Sequence, residues 1–160
     1  MMFIVCVFGI PAIAQKAGSP IAKADGRVAK ALGETKTEFE ISSKDGAYKV
    51  TYGTQGKRSQ AVHVASVTEQ INGVEMRVVF SFVNITDNPP SHQTANMLLE
   101  KNMESIGIWA LQKLDDGKHA LVTILHVPAV FSGKNLEAAM MAVASQSDEM
   151  EDQLTKKDVN

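Results

Sequence analysis

Two long alternating segments joined by Asn72-Gly73 constrain the fold of this chain more than any other feature. Asn-Gly favours a two-residue β-hairpin loop of type I′, because both loop positions require positive φ. The segment "SQAVHVASVTEQ" precedes the dipeptide and "VEMRVVFSFVN" follows it, and side chains alternate in character along both. The sequence therefore predicts a long antiparallel hairpin. Its second strand is the clearest in the chain, with one apolar face made of Val74, Met76, Val78, Phe80 and Phe82.

Helix and strand signals surround this hairpin in a simple order. Apolar residues recur at helical spacing before Gly33, between Ser91 and Gly107, and after Ser132. A strand follows the first Asp-Gly turn, and a second hairpin carries "DDGK" at its tip. The predicted order is α-β-β-β-α-β-β-α. Because every link between strands is short, we predict an α+β fold with a five-stranded antiparallel sheet and helices mainly on one face.

Length and composition indicate one globular domain. The chain has 160 residues, of which 44% are hydrophobic and 21% charged, and this is enough apolar material for one core. We place the domain at residues 21–155, followed by a polar tail at residues 156–160. The net charge of −2 comes without a cluster of basic residues, which argues against a nucleic-acid partner.

The first fourteen residues, "MMFIVCVFGIPAIA", contain no charged side chain and end in a small-x-small pattern. They predict a signal peptide over residues 1–14, a flexible leader over residues 15–20, and a secreted or periplasmic protein without a membrane span in its mature form. A buried N-terminal strand and a membrane anchor are the alternatives, although the run is short for a spanning helix. Cys6 is the only cysteine, so the mature chain would contain none.

The segment "KLDDGKHALVTILHVP" raises the question of a metal or catalytic site, since it carries two histidines and two aspartates. His119 and His126 are seven residues apart, and an odd separation on an unbroken strand places them on opposite faces of the sheet. The two aspartates are explained by the turn. We interpret the segment as a hairpin.

Motifs for catalysis are absent from the sequence. Neither a nucleophile elbow, nor a His-x-x-x-His pair, nor a glycine-rich phosphate loop occurs. We therefore predict no enzyme activity, no cofactor and no metal. The alternative is a hydrolase or metal enzyme whose site is assembled from the dispersed residues His63, His126 and Glu69.

Apolar residues on both faces of some strands predict an interaction surface. Helices are expected to cover one face, so the other requires a cover, for which a second copy of the chain is the favoured candidate and helices on parts of both faces the alternative. We nominate one face of the hairpin's second strand as this candidate interface: Arg77, Val79, Ser81 and Val83.

Nearly all of the mature chain resembles the YbjN-domain family, which is similar in fold to the type III secretion chaperones. The resembling segments are "GRVAKALGETKTEFEISSKDGAYKVTYG", "GKRSQAVHVASV" and "LEKNMESIGIWALQKLDDGKHALVTILHVPAVFSGKNLEAAMMAVASQSDEMEDQL". The most typical part is a helix, a hairpin tipped by Asp115-Asp116-Gly117, and Pro128 before a terminal helix. The resemblance implies a noncatalytic, often dimeric module that binds proteins or peptides. Such modules are commonly intracellular, in contrast to the export signal here.

Three possible functions follow from these expectations. The first is an exported, noncatalytic module that binds a protein or peptide by strand addition or helix docking. The second is a structural component of an envelope assembly, with the dispersed-site enzyme as a third, weaker alternative.

Overall fold

A computed structural model describes residues 23–54 and 58–155. Within them, three helices and one antiparallel sheet of six strands form an α+β fold. The helices are α1 (Gly26–Glu34), α2 (His92–Lys101) and α3 (Gly133–Thr155). The strands are β1 (Glu40–Ile41), β2 (Tyr48–Gly53), β3 (Ser59–Ile71), β4 (Val74–Thr86), β5 (Ile108–Lys113) and β6 (His119–Pro128), in the spatial order β1-β2-β3-β4-β6-β5.

The predicted hairpin forms the middle of this sheet. Asn72 and Gly73 have φ values of 51° and 81°, the positive values that a type I′ loop requires. β3 and β4 pair in register from the loop, except for an irregularity between Val64 and Thr68. Val67 lies in that irregular stretch and is 62% exposed, which is typical of a bulge.

All three helices pack on the same face of the sheet, which we call the helical face. α3 lies across β3, β4 and β6, and α1 packs beside it. The larger apolar cluster joins α1 and the first half of α3 to β2, β3 and β4, with Val62, Val64 and Val79 fully buried. A second cluster joins α2 and the end of α3 to β5 and β6 through Leu98, Trp109, Leu121 and Met150.

Two details of the predicted order need correction. The sheet has six strands rather than five, because the short strand β1 pairs with β2 through only two residues and has no alternating pattern to mark it. α2 ends at Lys101 instead of continuing to Gly107. Asn102 is the C-cap of the helix, and its side-chain oxygen accepts a hydrogen bond from the Trp109 backbone N–H at 2.6 Å.

The nominated interface also needs correction. Arg77, Val79, Ser81 and Val83 lie on the helical face and are 2% exposed or less. α3 covers this side of β4, and the Arg77 guanidinium donates to Asp25 and to the backbone oxygen of Ala65. These four side chains therefore belong to the core, and the face with Phe80 and Phe82 is the one that the helices leave open.

The expectations for the chain ends concern residues outside the described part. The predicted signal peptide (1–14), the leader (15–20) and the polar tail (156–160) all lie there. Among the residues that the structure describes, no helix has both the length and the apolar character needed to cross a membrane.

Candidate functional site

The second face of the sheet, which we call the open face, carries its own apolar cluster. Phe80, Ala120, Val122 and Ile124 form this cluster and are at most 4% exposed. Half-buried side chains extend it from β4, β5 and the following turn: Val78, Phe82, Ala110 and Leu114. In the described part of the chain no helical residue contributes to this cluster.

The open face is concave. The β1–β2 connection and the β5–β6 turn belong to opposite edges of the sheet, and residues from both line a single cavity of about 440 Å³ on this face. We call this concave cavity the trough; its lining residues are Ser42, Lys44, Asp45, His63, Phe80, Phe82 and residues 112–116.

Three rings form an aromatic wall of the trough. His63 on β3 stacks on Phe80 of β4, its register partner, with ring centroids 5.0 Å apart. Phe82 stands edge-on to both rings, at 5.8 Å from His63 and 5.7 Å from Phe80. Burial lowers the pKa of His63, and the positive charge of Lys49 lowers it further. The wall is therefore apolar and uncharged at neutral pH.

Polar groups occupy the rim of the trough. The Gln112 side-chain oxygen is buried without a hydrogen-bond partner, although such acceptors are nearly always satisfied in folded proteins. Asp45 and Asp116 each accept a hydrogen bond from a backbone N–H two residues further on, so their placement is explained by the turns. Eight of the eleven lining residues are polar or charged, and Phe80, Phe82 and Leu114 supply the apolar part of the lining. The trough is therefore a concave site in which an apolar patch lies beneath a polar rim.

The edges of the sheet offer less room for a partner than the trough does. β1 contains only two residues. At the start of β5, the Gln146 side-chain amide bonds both the N–H and the C=O of Gly107, as a neighbouring strand would, and Asn102 occupies the N–H of Trp109. Side chains thus block part of the β5 edge, which is a known protection against unwanted strand pairing.

The structure tests the geometry of the histidines directly. β6 pairs with β5 in unbroken register, so His119 shares the side of Leu121 on the helical face, whereas His126 lies on the open face. The expectation that they point to opposite faces is confirmed. His126 Nε2 lies 3.3 Å from Glu69 Oε1.

Two members of the dispersed set, His126 and Glu69, are therefore brought together on the open face, and His63 lies on the same side of the sheet. Within residues 23–54 and 58–155, however, no group of three or more His, Cys, Asp or Glu side chains is placed to hold a metal ion. The pair alone supplies too few ligands for a structural zinc centre.

Two further cavities lie outside the trough. One of about 290 Å³ is lined by α1 and the β6–α3 connection, and one of about 500 Å³ by residues of the α2–β5 connection and of α3. The second is near Trp109, whose indole N–H is buried without a partner. Neither has an aromatic wall like that of the trough.

The trough has no local signal in the sequence, because its lining residues are far apart in the chain. The available signal was the apolar alternation of Val78, Phe80 and Phe82, which predicted an apolar face but not a cavity. Comparison of the chain with known protein families and with curated proteins finds no match.

Proposed function

We propose that this chain is a noncatalytic binding module that holds an apolar segment of a protein or peptide partner in the trough. The supporting observation is the concave open face, where Phe80, Phe82 and Leu114 of a cluster without helical cover line a cavity of about 440 Å³. Helix docking or an extended segment seated across the open face fits this shape better than strand addition, because side chains block part of the β5 edge.

Shape also favours such a segment over a second copy of the chain. An isologous dimer apposes identical surfaces, and two concave faces placed together leave a void between them. A helix or an extended peptide is convex and fills the trough. Homodimerisation through the open face is therefore the less favoured form of the proposal.

Selection from a random-peptide display library tests the proposal. The wild-type protein should enrich peptides with clustered apolar residues, and these should bind Phe82→Lys at least tenfold more weakly, since a charge in the trough opposes burial of an apolar group. The matched control is Val130→Lys, because Val130 is 77% exposed and lies outside the trough. Enriched peptides that bind both variants equally well would place the binding site elsewhere.

A structural role in an assembly is the second candidate function. It is favoured by Leu99, Met103 and Ile106, which are 66%, 88% and 72% exposed around the end of α2. Exposed apolar groups at such density are typical of protein contact surfaces. Sedimentation at increasing protein concentration tests this role: self-association that Met103→Lys abolishes supports it, and a monomer at all concentrations argues against self-assembly through this surface.

We further propose that the module is exported and belongs with the YbjN-like, secretion-chaperone-like proteins. The proposed export depends on the uncharged segment over residues 1–14 and its Ala12-Ile13-Ala14 pattern. N-terminal sequencing of the protein from its own host tests it: a first residue at Gln15 supports cleavage, and an intact Met1 contradicts it.

A further inference from the structure

His63 is the group in the trough whose charge changes most readily near neutral pH. Histidine is the side chain whose ordinary pKa lies between pH 5 and 8. His63 belongs to the aromatic wall, and the other ionisable residues of the lining are lysines and aspartates at the rim. Protonation of His63 would therefore place a positive charge beside the rings of Phe80 and Phe82.

The ring of His63 has little to stabilise a positive charge. It stacks on Phe80 and meets the edge of Phe82, and no hydrogen bond or ion pair joins its nitrogens to any residue in the described part of the chain. A protonated imidazole at this position depends on water from the trough for its hydrogen bonds. An apolar occupant displaces that water and leaves the charge without a partner.

The charges that face His63 come from several elements. Lys49 lies opposite on β2, and Lys44 and Asp45 belong to the β1–β2 connection. Lys113, Asp115 and Asp116 line the far rim, and the Glu69–His126 pair lies on the same face. Lys49 opposes protonation and Asp45 favours it, but burial has the largest effect and lowers the pKa of His63.

We propose that His63 restricts the trough to uncharged apolar groups and releases them when its imidazole becomes protonated. This inference rests on the proposed function of the trough and adds its ligand class and its regulation. Because the occupied trough requires neutral His63, binding and protonation compete. Below the pKa of His63 in the free protein, the apparent Kd should rise about tenfold for each unit of pH.

Fluorescence titration with the neutral apolar dye N-phenyl-1-naphthylamine tests this inference on the full chain between pH 8 and 5. The wild-type protein should bind the dye at pH 8 and lose affinity about tenfold per unit once His63 titrates. His63→Phe should bind with no pH dependence, because the ring wall is kept without the titrating group. His126→Gln is the matched control and should keep the pH dependence of the wild type.

The midpoint of the His63 Cε1–H signal in NMR provides a second readout that does not depend on dye fluorescence, and it should shift to lower pH when the dye is bound. Circular dichroism at each pH identifies the range in which the protein is folded, and both measurements are interpreted within that range. Dye binding that Phe82→Lys abolishes but pH leaves unchanged would overturn this inference and keep the proposed function. A pH dependence of dye affinity that persists in His63→Phe would also overturn it. Absence of dye binding at every pH would count against both proposals.

Discussion

Asp25 connects the start of α1 to the buried side of the sheet. Its side chain accepts a hydrogen bond from the Arg27 N–H as the N-cap and another from Arg77 at 2.7 Å. Hydrogen bonds from Arg27 and Arg77 hold the pKa of Asp25 well below its usual range, although burial opposes this. The Arg27 guanidinium also bonds Glu75 and, with Thr68, lowers the pKa of Glu75 to about 2.

Replacing Asp25 should destabilise the fold. Asp25→Ala removes the cap of α1 and the carboxylate partner of Arg77, which is 2% exposed, so we expect a loss of about 3 kcal/mol in the free energy of unfolding. Asp25→Asn keeps a capping oxygen and should cost less. Urea denaturation of both variants measures the difference, and equal stability of Asp25→Ala and the wild type would contradict this role.

The same carboxylates predict how stability depends on acid. The folded state holds the pKa of Asp25 and Glu75 below their unfolded values, so their contribution is complete above about pH 5 and is lost as pH falls towards 2. The urea midpoint should therefore drop between pH 5 and 3. In the double variant Asp25→Asn/Glu75→Gln this drop should be smaller, and an unchanged drop would assign acid sensitivity to other groups.

At the scale of elements, a row of buried polar groups separates the two apolar clusters beneath α3. Ser147 of α3 donates to Thr123 of β6 at 2.8 Å, and the Gln60 side-chain amide donates to Ser81 at 2.6 Å. All four side chains are fully buried. Directional bonds of this kind fix the position of α3 on the sheet, where apolar contacts alone allow sliding.

Paired substitutions test this contact between α3 and β6. Ser147→Ala leaves the Thr123 hydroxyl buried without its partner and should cost about 1–2 kcal/mol, whereas the double variant Ser147→Ala/Thr123→Val removes both hydroxyls and should cost less. Thermal unfolding of the two variants provides the measurement. If the double variant is less stable than Ser147→Ala, the contact is not the isolated pair described here.

Local sequence signals predicted most elements but not all of their limits. Asn72-Gly73 identified the central hairpin because its positive φ values are a local requirement. Ser91 was correctly predicted to open α2, where its side chain accepts from the Thr94 N–H. The end of α2 was mispredicted, since Met103 and Ile106 continue the apolar spacing but are 88% and 72% exposed beyond the end of the helix at Lys101.

The two faces of β4 show why the candidate interface was misassigned. Val78, Phe80 and Phe82 form the more apolar face, and hydrophobicity alone assigns that face to the helices. α3 instead packs on the side of Val79, Ser81 and Val83, where its residues Met140, Val143 and Met150 join the two apolar clusters of the helical face. The choice of face depends on contacts between residues far apart in sequence.

For the whole molecule, the strand order brings the residues of the trough together, and no local pattern encodes it. The strand order places the β1–β2 connection and the β5–β6 turn at opposite edges, yet both contribute to one cavity. The sequence predicted that apolar residues on a second face need a cover, and a helix-free cluster on that face agrees with this. The position of that face could not be predicted until the helical face was known.

Thiol labelling tests the central claim that a partner segment occupies the trough. In a Cys6→Ser background, Leu114→Cys places a thiol in the lining of the trough, and Val130→Cys places one at an exposed position outside the trough. A peptide selected on the wild-type protein should slow labelling of the Leu114→Cys thiol at least tenfold and leave the Val130→Cys thiol unaffected. Unchanged labelling of Leu114→Cys at saturating peptide would contradict the claim.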